Sequence, residues 1–143
     1  MFGVNDTRSE GVDYWEHFDE FESDARKLLE ALRAFPERPR VLLCTPTAHF
    51  ADLPGMTAER RTSVALRMPR LLEVRAKIMR LAQEYIDHGV KPVDLHAVTA
   101  AHREGFDSDG VHLNAAGYTL LAETLLPHVK AELERIHAGP TAP

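Results

Sequence analysis

An α/β fold built on a parallel sheet is what this sequence predicts, and three observations carry it. Stretches with apolar residues at three- and four-residue spacing alternate with short apolar runs. The order is helix, strand, helix, strand, helix after a strand stub, the pattern of a layered α/β protein. The run Val41-Leu42-Leu43-Cys44 is continuously apolar, as expected of a strand covered on both faces. The chain has 143 residues, 44% hydrophobic and 27% charged, which gives room for one ordinary globular domain. That domain is expected to occupy residues 1–138, with Gly-Pro-Thr-Ala-Pro at 139–143 as a disordered tail.

Each element follows from local chemistry. Residues 1–4 read as the end of a strand, and 10–13 as a turn and helix start. From 14 to 35, Phe18, Phe21, Ala25, Leu28, Leu29 and Leu32 recur on one face, and Pro36 stops the helix. Residues 40–45 form the first strand. Residues 49–67, with Pro54-Gly55 inside, read as a long loop that shapes specificity. Pro69 is placed to open the next helix, because its missing N–H costs nothing in a first turn. Leu71, Leu72, Val74, Ile78, Leu81, Ala82 and Tyr85 mark that helix's buried face, and Gly89 ends it. Residues 91–95 form the next strand, and 96–108 are mostly loop with a short helix near Val98. Asn114 caps a last helix from 115 to about 137.

Composition excludes several functions. A net charge of -5 with no basic stripe argues against nucleic-acid and membrane-surface partners. No run approaches the roughly 18 apolar residues that a membrane span needs. No signal-peptide pattern follows Met1, and the compartment stays open. The single cysteine, Cys44, excludes an internal disulfide and reads as a structural thiol. Tyr14 and Trp15 read as packing or surface anchors.

Two stretches carry chemistry. The first is Asp109-Gly110-Val111-His112-Leu113-Asn114-Ala115-Ala116-Gly117-Tyr118. An Asp three residues before a His, on a loop that opens a helix, can orient and charge-stabilise an imidazole base. The second is Gly3-Val4-Asn5-Asp6, where an amide at a strand end can face an oxyanion. Asn5, Thr45 and the Asp109 loop all fall at the carboxyl edge of the sheet, where ligands gather in such folds. A metal reading is also open, since Asp94, His96, His102, Asp109 and His112 carry ligating atoms. The chain has no His-Glu-x-x-His, however, and Asp107-Ser108-Asp109-Gly110 departs from a calcium loop.

Together the two stretches resemble the SGNH (GDSL-type) hydrolases, serine esterases with a flavodoxin-like, three-layer α/β/α sheet. The resemblance implies a carboxylic-ester hydrolase working on a small acyl ester through an acyl-enzyme, with no cofactor and no metal. Carried over by position, His112 is the general base, Asp109 orients it, and Asn5 is an oxyanion-hole donor. In that family the nucleophilic Ser and an oxyanion Gly precede the Gly-x-Asn-Asp block. Here only Met1 and Phe2 precede Gly3, and nothing reads Gly-Asp-Ser. The chain is therefore expected to be the C-terminal portion of such a domain, with the N-terminal strands missing and no activity alone. Ser9, Ser23, Ser63 and Ser108 are poor substitutes for the nucleophile. The alternative is a non-catalytic binding module on the same fold, and a metal-dependent hydrolase is the third reading. The oligomeric state is not legible.

Overall fold

A computed structural model describes residues 4–8 and 18–138. The predicted helix start at 10–13, Tyr14, Trp15 and the tail at 139–143 lie outside them, as do Met1 to Gly3 of the strand stub. Val4 is described, and its backbone is helical (φ -66, ψ -41), so the expected strand end is corrected there. Asn5–Thr7 forms a single 3-10 turn.

Helix α1 spans Phe21–Arg33 behind a 3-10 turn at Phe18–Glu20. Its buried face is Phe21, Ala25 and Leu29, whereas Leu28 is left 48% exposed, against expectation. Strand β1, Val41–Cys44, pairs in parallel with β2, Val90–Val93, with Val41 opposite Val90 and Cys44 opposite Val93. The fold is thus α/β with a parallel strand pair, as the alternation predicts. Parallel neighbours need a long crossover, and helix α2, Ala58–Glu84, provides it.

This helix corrects the expected loop at 49–67 and the expected start at Pro69. Thr57 caps it, its Oγ1 accepting from the Arg60 N–H at 3.2 Å, and Pro69 lies inside it. An interior proline removes one intrahelical bond and costs about 3 kcal/mol. The buried stripe Val64, Arg67, Leu71, Val74, Ile78 and Leu81 runs unbroken across Pro69. Burying such side chains is worth roughly 1.5–3 kcal/mol each, so burial outweighs the proline.

Val74, Ile78, Leu81 and Ala82 pack with Phe18 of the 3-10 turn and Phe21, Ala25 and Leu29 of α1 against Leu43 and Val90 of the sheet. A second, smaller core joins Ala48, Leu53, Met56, Val64, Phe106 and Leu113 near the carboxyl ends of the strands. Helix α3, Leu95–Ala100, is the short helix expected near Val98, capped by Asp94. Helix α4, Ala115–His137, begins where Asn114 Oδ1 accepts from the Gly117 N–H at 3.1 Å. Its start lies so close to the preceding loop that a Cβ on Gly117 would meet the Gly105 carbonyl oxygen at 2.1 Å. Cys44 is half-buried, and burial pushes its thiol pKa up. No described helix is long and apolar enough to cross a membrane.

Two loops meet over the second core. The Phe50 N–H donates to the Gly110 carbonyl at 2.9 Å. Gly110 has φ 72, and a Cβ there would stand 1.9 Å from the Phe50 carbonyl oxygen. Both conformation and space demand glycine. Gly110→Ala is expected to destabilise the chain by at least about 2 kcal/mol. Urea midpoints of the two proteins measure this, and an unchanged midpoint would contradict the close approach.

Candidate active site

The loop between α3 and α4 is shaped by its own backbone bonds. Asp107 N–H donates to the His112 carbonyl at 2.9 Å and Asn114 N–H to the Gly105 carbonyl at 3.1 Å. The Asn114 side chain also donates to Glu104 and Phe106 carbonyls, at 2.7 and 3.1 Å. This closed loop presents Asp109 and His112 together.

The Asp109 carboxylate accepts four hydrogen bonds. Oδ1 takes the backbone N–H groups of Val111 and His112, each at 2.9 Å. Oδ2 takes His112 Nδ1 at 2.5 Å and Arg60 Nη2 at 3.1 Å. An ionised carboxylate only accepts, so Nδ1 carries the ring proton and Nε2 is the basic nitrogen. The His112 side chain is 73% exposed, and Nε2 has no partner among the described residues. Burial works against the charged Asp109. The backbone N–H groups of His112 and Val111 and the His112 ring outweigh it, holding its pKa down at about 2. The geometry can therefore keep one tautomer and offer Nε2 to a proton donor.

The loop after β1 is fixed from below. Thr45 Oγ1 donates to Asp94 Oδ1 at 3.1 Å and accepts from the His96 N–H at 3.0 Å. Arg75 grips both Asp94 oxygens, with its Nη2 at 2.6 Å from Oδ2. The Ala48 N–H donates to Thr99 Oγ1 at 2.8 Å. This network buries His49 at 3% exposure, and neither ring nitrogen has a hydrogen-bond partner among the described residues. Burial, then the charges of Arg67, Arg60 and His96, push its pKa down to about 4, against a weaker pull from Asp109. A cavity of about 470 Å³ opens beside it, walled largely by Phe50, Met68, Leu71 and Leu72.

Among the sequence-predicted residues, Asp109 and His112 are brought together and Asn5 is not joined to them. Asn5 stands exposed on its 3-10 turn, and its side chain makes no hydrogen bond among the described residues. Ser63 lies on α2, not in a loop, and Ser23 on α1. Neither they nor Ser108 is bonded to His112. Among the described residues no three His, Cys, Asp or Glu side chains gather in a metal-holding group. Asp94 is engaged by Arg75, and His102 Nδ1 meets Glu104 at 3.0 Å.

Arg60 and His49 are site neighbours that the sequence did not mark. A basic residue in a helix's first turn opposes the macrodipole, and that was the available signal for Arg60. His49 gave none, since nothing in its neighbours announces burial.

Two acid windows follow. His49 has a folded pKa near 4 against 6.5 unfolded, so the unfolded chain binds its proton first. The ring therefore costs no stability through protonation above 6.5, and stability is lost as pH falls to about 4, because the unfolded chain gains the proton and the buried ring resists it. This term is on the order of 3 kcal/mol. Asp109, depressed from 3.8 to about 2, contributes stability that is complete above 3.8 and lost as pH falls towards 2. His49→Gln should flatten the urea midpoint between pH 6.5 and 4, and Asp109→Asn only below that range. If neither variant changed its window, these environments would be wrongly described.

The GDSL-like lipase/acylhydrolase family model matches residues 1–120. The chain is also similar to acetylxylan esterase of Xylanibacter ruminicola, 27% identical over 145 residues that include 90% of this chain. It spans 27% of that protein's length. No solved structure matches it significantly. With the paired Asp109 and His112 at the carboxyl edge of a parallel α/β sheet, the match over residues 1–120 identifies the chain as a member of the GDSL-like lipase/acylhydrolase family.

Proposed function

We propose that this chain carries the acid–base half of a serine ester hydrolase acting on a small acyl ester. The observation behind this reading is the 2.5 Å bond from His112 Nδ1 to Asp109 Oδ2, which leaves Nε2 of an exposed ring without a partner among the described residues. In the proposed reaction Nε2 takes the proton of a Ser hydroxyl as Oγ bonds to the ester carbonyl carbon. The tetrahedral oxyanion is held by donors that include the Asn5 side-chain amide. His112 then returns the proton to the leaving alcohol oxygen as the ester C–O bond breaks. Water repeats the sequence on the acyl-enzyme. The cavity beside His49 would receive the apolar part of the ester. A relative named for an acetyl ester supports the small acyl group.

The nucleophile is proposed to come from a segment outside this sequence, and the chain to be the C-terminal part of one hydrolase domain. Two features support that. Leu126, Val129, Leu133 and Ile136 lie exposed at three- and four-residue spacing on α4. Parallel strands are ordinarily covered and flanked by further units, and among the described residues the sheet has two strands. The second reading, a non-catalytic binding module, is favoured by the lack of any described serine bonded to His112.

The chain alone is expected to hydrolyse p-nitrophenyl acetate no faster than its His112→Ala variant. Joined in frame to an upstream segment that ends a strand in Gly-Asp-Ser, it should turn over. His112→Ala should then lower kcat by roughly 10³-fold or more. Asn5→Ala should lower kcat about 10²-fold with little change in KM. Robust turnover by the chain alone, lost in His112→Ala, would reveal another nucleophile. A joined protein indifferent to His112→Ala would sink the base assignment.

A further inference from the structure

We propose that Arg60 is a positioning residue of this site, which locks Asp109 in place and divides its carboxylate charge with His112. The inference rests on the hydrolase reading for its consequence in catalysis, but its geometry stands apart. Arg60 reaches Asp109 at two points: Nε donates to the backbone carbonyl at 3.0 Å, and Nη2 to the carboxylate Oδ2 at 3.1 Å. A single rigid guanidinium therefore fixes both the main chain and the side chain of one residue.

The choice of oxygen matters. Oδ2 is the same atom that accepts His112 Nδ1. The other oxygen is already filled by the Val111 and His112 N–H groups. A carboxylate has about four lone-pair sites, so Arg60 takes the last one. The carboxyl group cannot turn about its bond to Cβ without breaking bonds on both oxygens. Both side chains are about a third exposed, Arg60 at 29% and Asp109 at 33%, so water screens the pair without dispersing it.

Charge follows geometry. A carboxylate beside an imidazole stabilises the imidazolium, and a cation on the same oxygen weakens that stabilisation. Arg60 and the His112 ring thus share one carboxylate oxygen, so removing the guanidinium leaves the whole of that charge facing the ring. Arg60 is itself steadied from the helix, since Thr57 Oγ1 takes its backbone N–H at 3.2 Å.

The experiment is a pH titration of the His112 ring by side-chain NMR, on the 143-residue chain and its variants. In Arg60→Met the His112 titration midpoint should move upward by roughly half a unit to one unit. Arg60→Lys, which keeps the charge but not the fork, should move it by less than half as much. In an Asp109→Asn background, Arg60→Met should no longer move it. A midpoint unmoved in a folded Arg60→Met chain would overturn the proposal. So would a shift that persists in the Asp109→Asn background, because Arg60 would then act without Asp109. If Arg60→Met fails to fold, Arg60→Lys decides. A small upward shift together with faster exchange of the Nδ1 proton supports the clamp, and the lack of either change overturns it. These readings need no turnover. A negative result here with His112→Ala inactive in the joined protein removes Arg60 alone. A positive result with His112→Ala fully active removes the hydrolase role alone.

Discussion

The bond from Phe50 N–H to the Gly110 carbonyl is the constraint on which the site depends. It ties the loop after β1 to the loop before α4, and no side chain fits between them at Gly110. The first loop is already immobilised through Thr45, Asp94, Arg75 and Thr99. The second is drawn closed by Asn114 and the Asp107–His112 backbone bond. Join two fixed loops by one short contact, and Asp109 and His112 acquire a defined position relative to the sheet. The edge-to-face contact of Phe50 with Phe106, centroids 5.0 Å apart, fills the space under that junction.

Two carboxylates stand at this edge, and both are held by arginines from the same helix. Arg75 grips Asp94, which caps α3, while Arg60 grips Asp109, which orients His112. The crossover helix is therefore more than a cover for the sheet. Its apolar stripe fills the main core, and its arginines set the two turns that shape the site. Arginine suits the task, because its fork stays charged and engages two acceptors at once.

Much of this was legible in the sequence, and the residues explain why. Asn114 followed by helix formers fixed the start of α4 through local chemistry alone. The apolar run at Val41 announced a covered parallel strand, and the Asp109-x-x-His112 spacing announced the pair. The start of α2 was hidden because Pro69 is a stronger local signal than Thr57. The continuous burial of Val64 and Leu71 on either side, which overrides it, is tertiary information. Arg60 and His49 were hidden for the same reason. Their significance lies in contacts 49 residues away in one case and, in the other, in a buried ring with no hydrogen-bond partner among the described residues. Leu28 shows the complementary limit: periodicity assigned a face but not how completely that face is covered.

Pro69 has a consequence for the backbone of α2. Lacking an N–H, it leaves the Ala65 carbonyl without its usual partner four residues on. The cooperative ladder of backbone bonds is thereby interrupted between the turns that carry Arg60 and those that carry Ile78. The same turn lies within the stripe that runs from Val64 to Leu71, so at Pro69 the helix is held by its side chains and not by its own ladder.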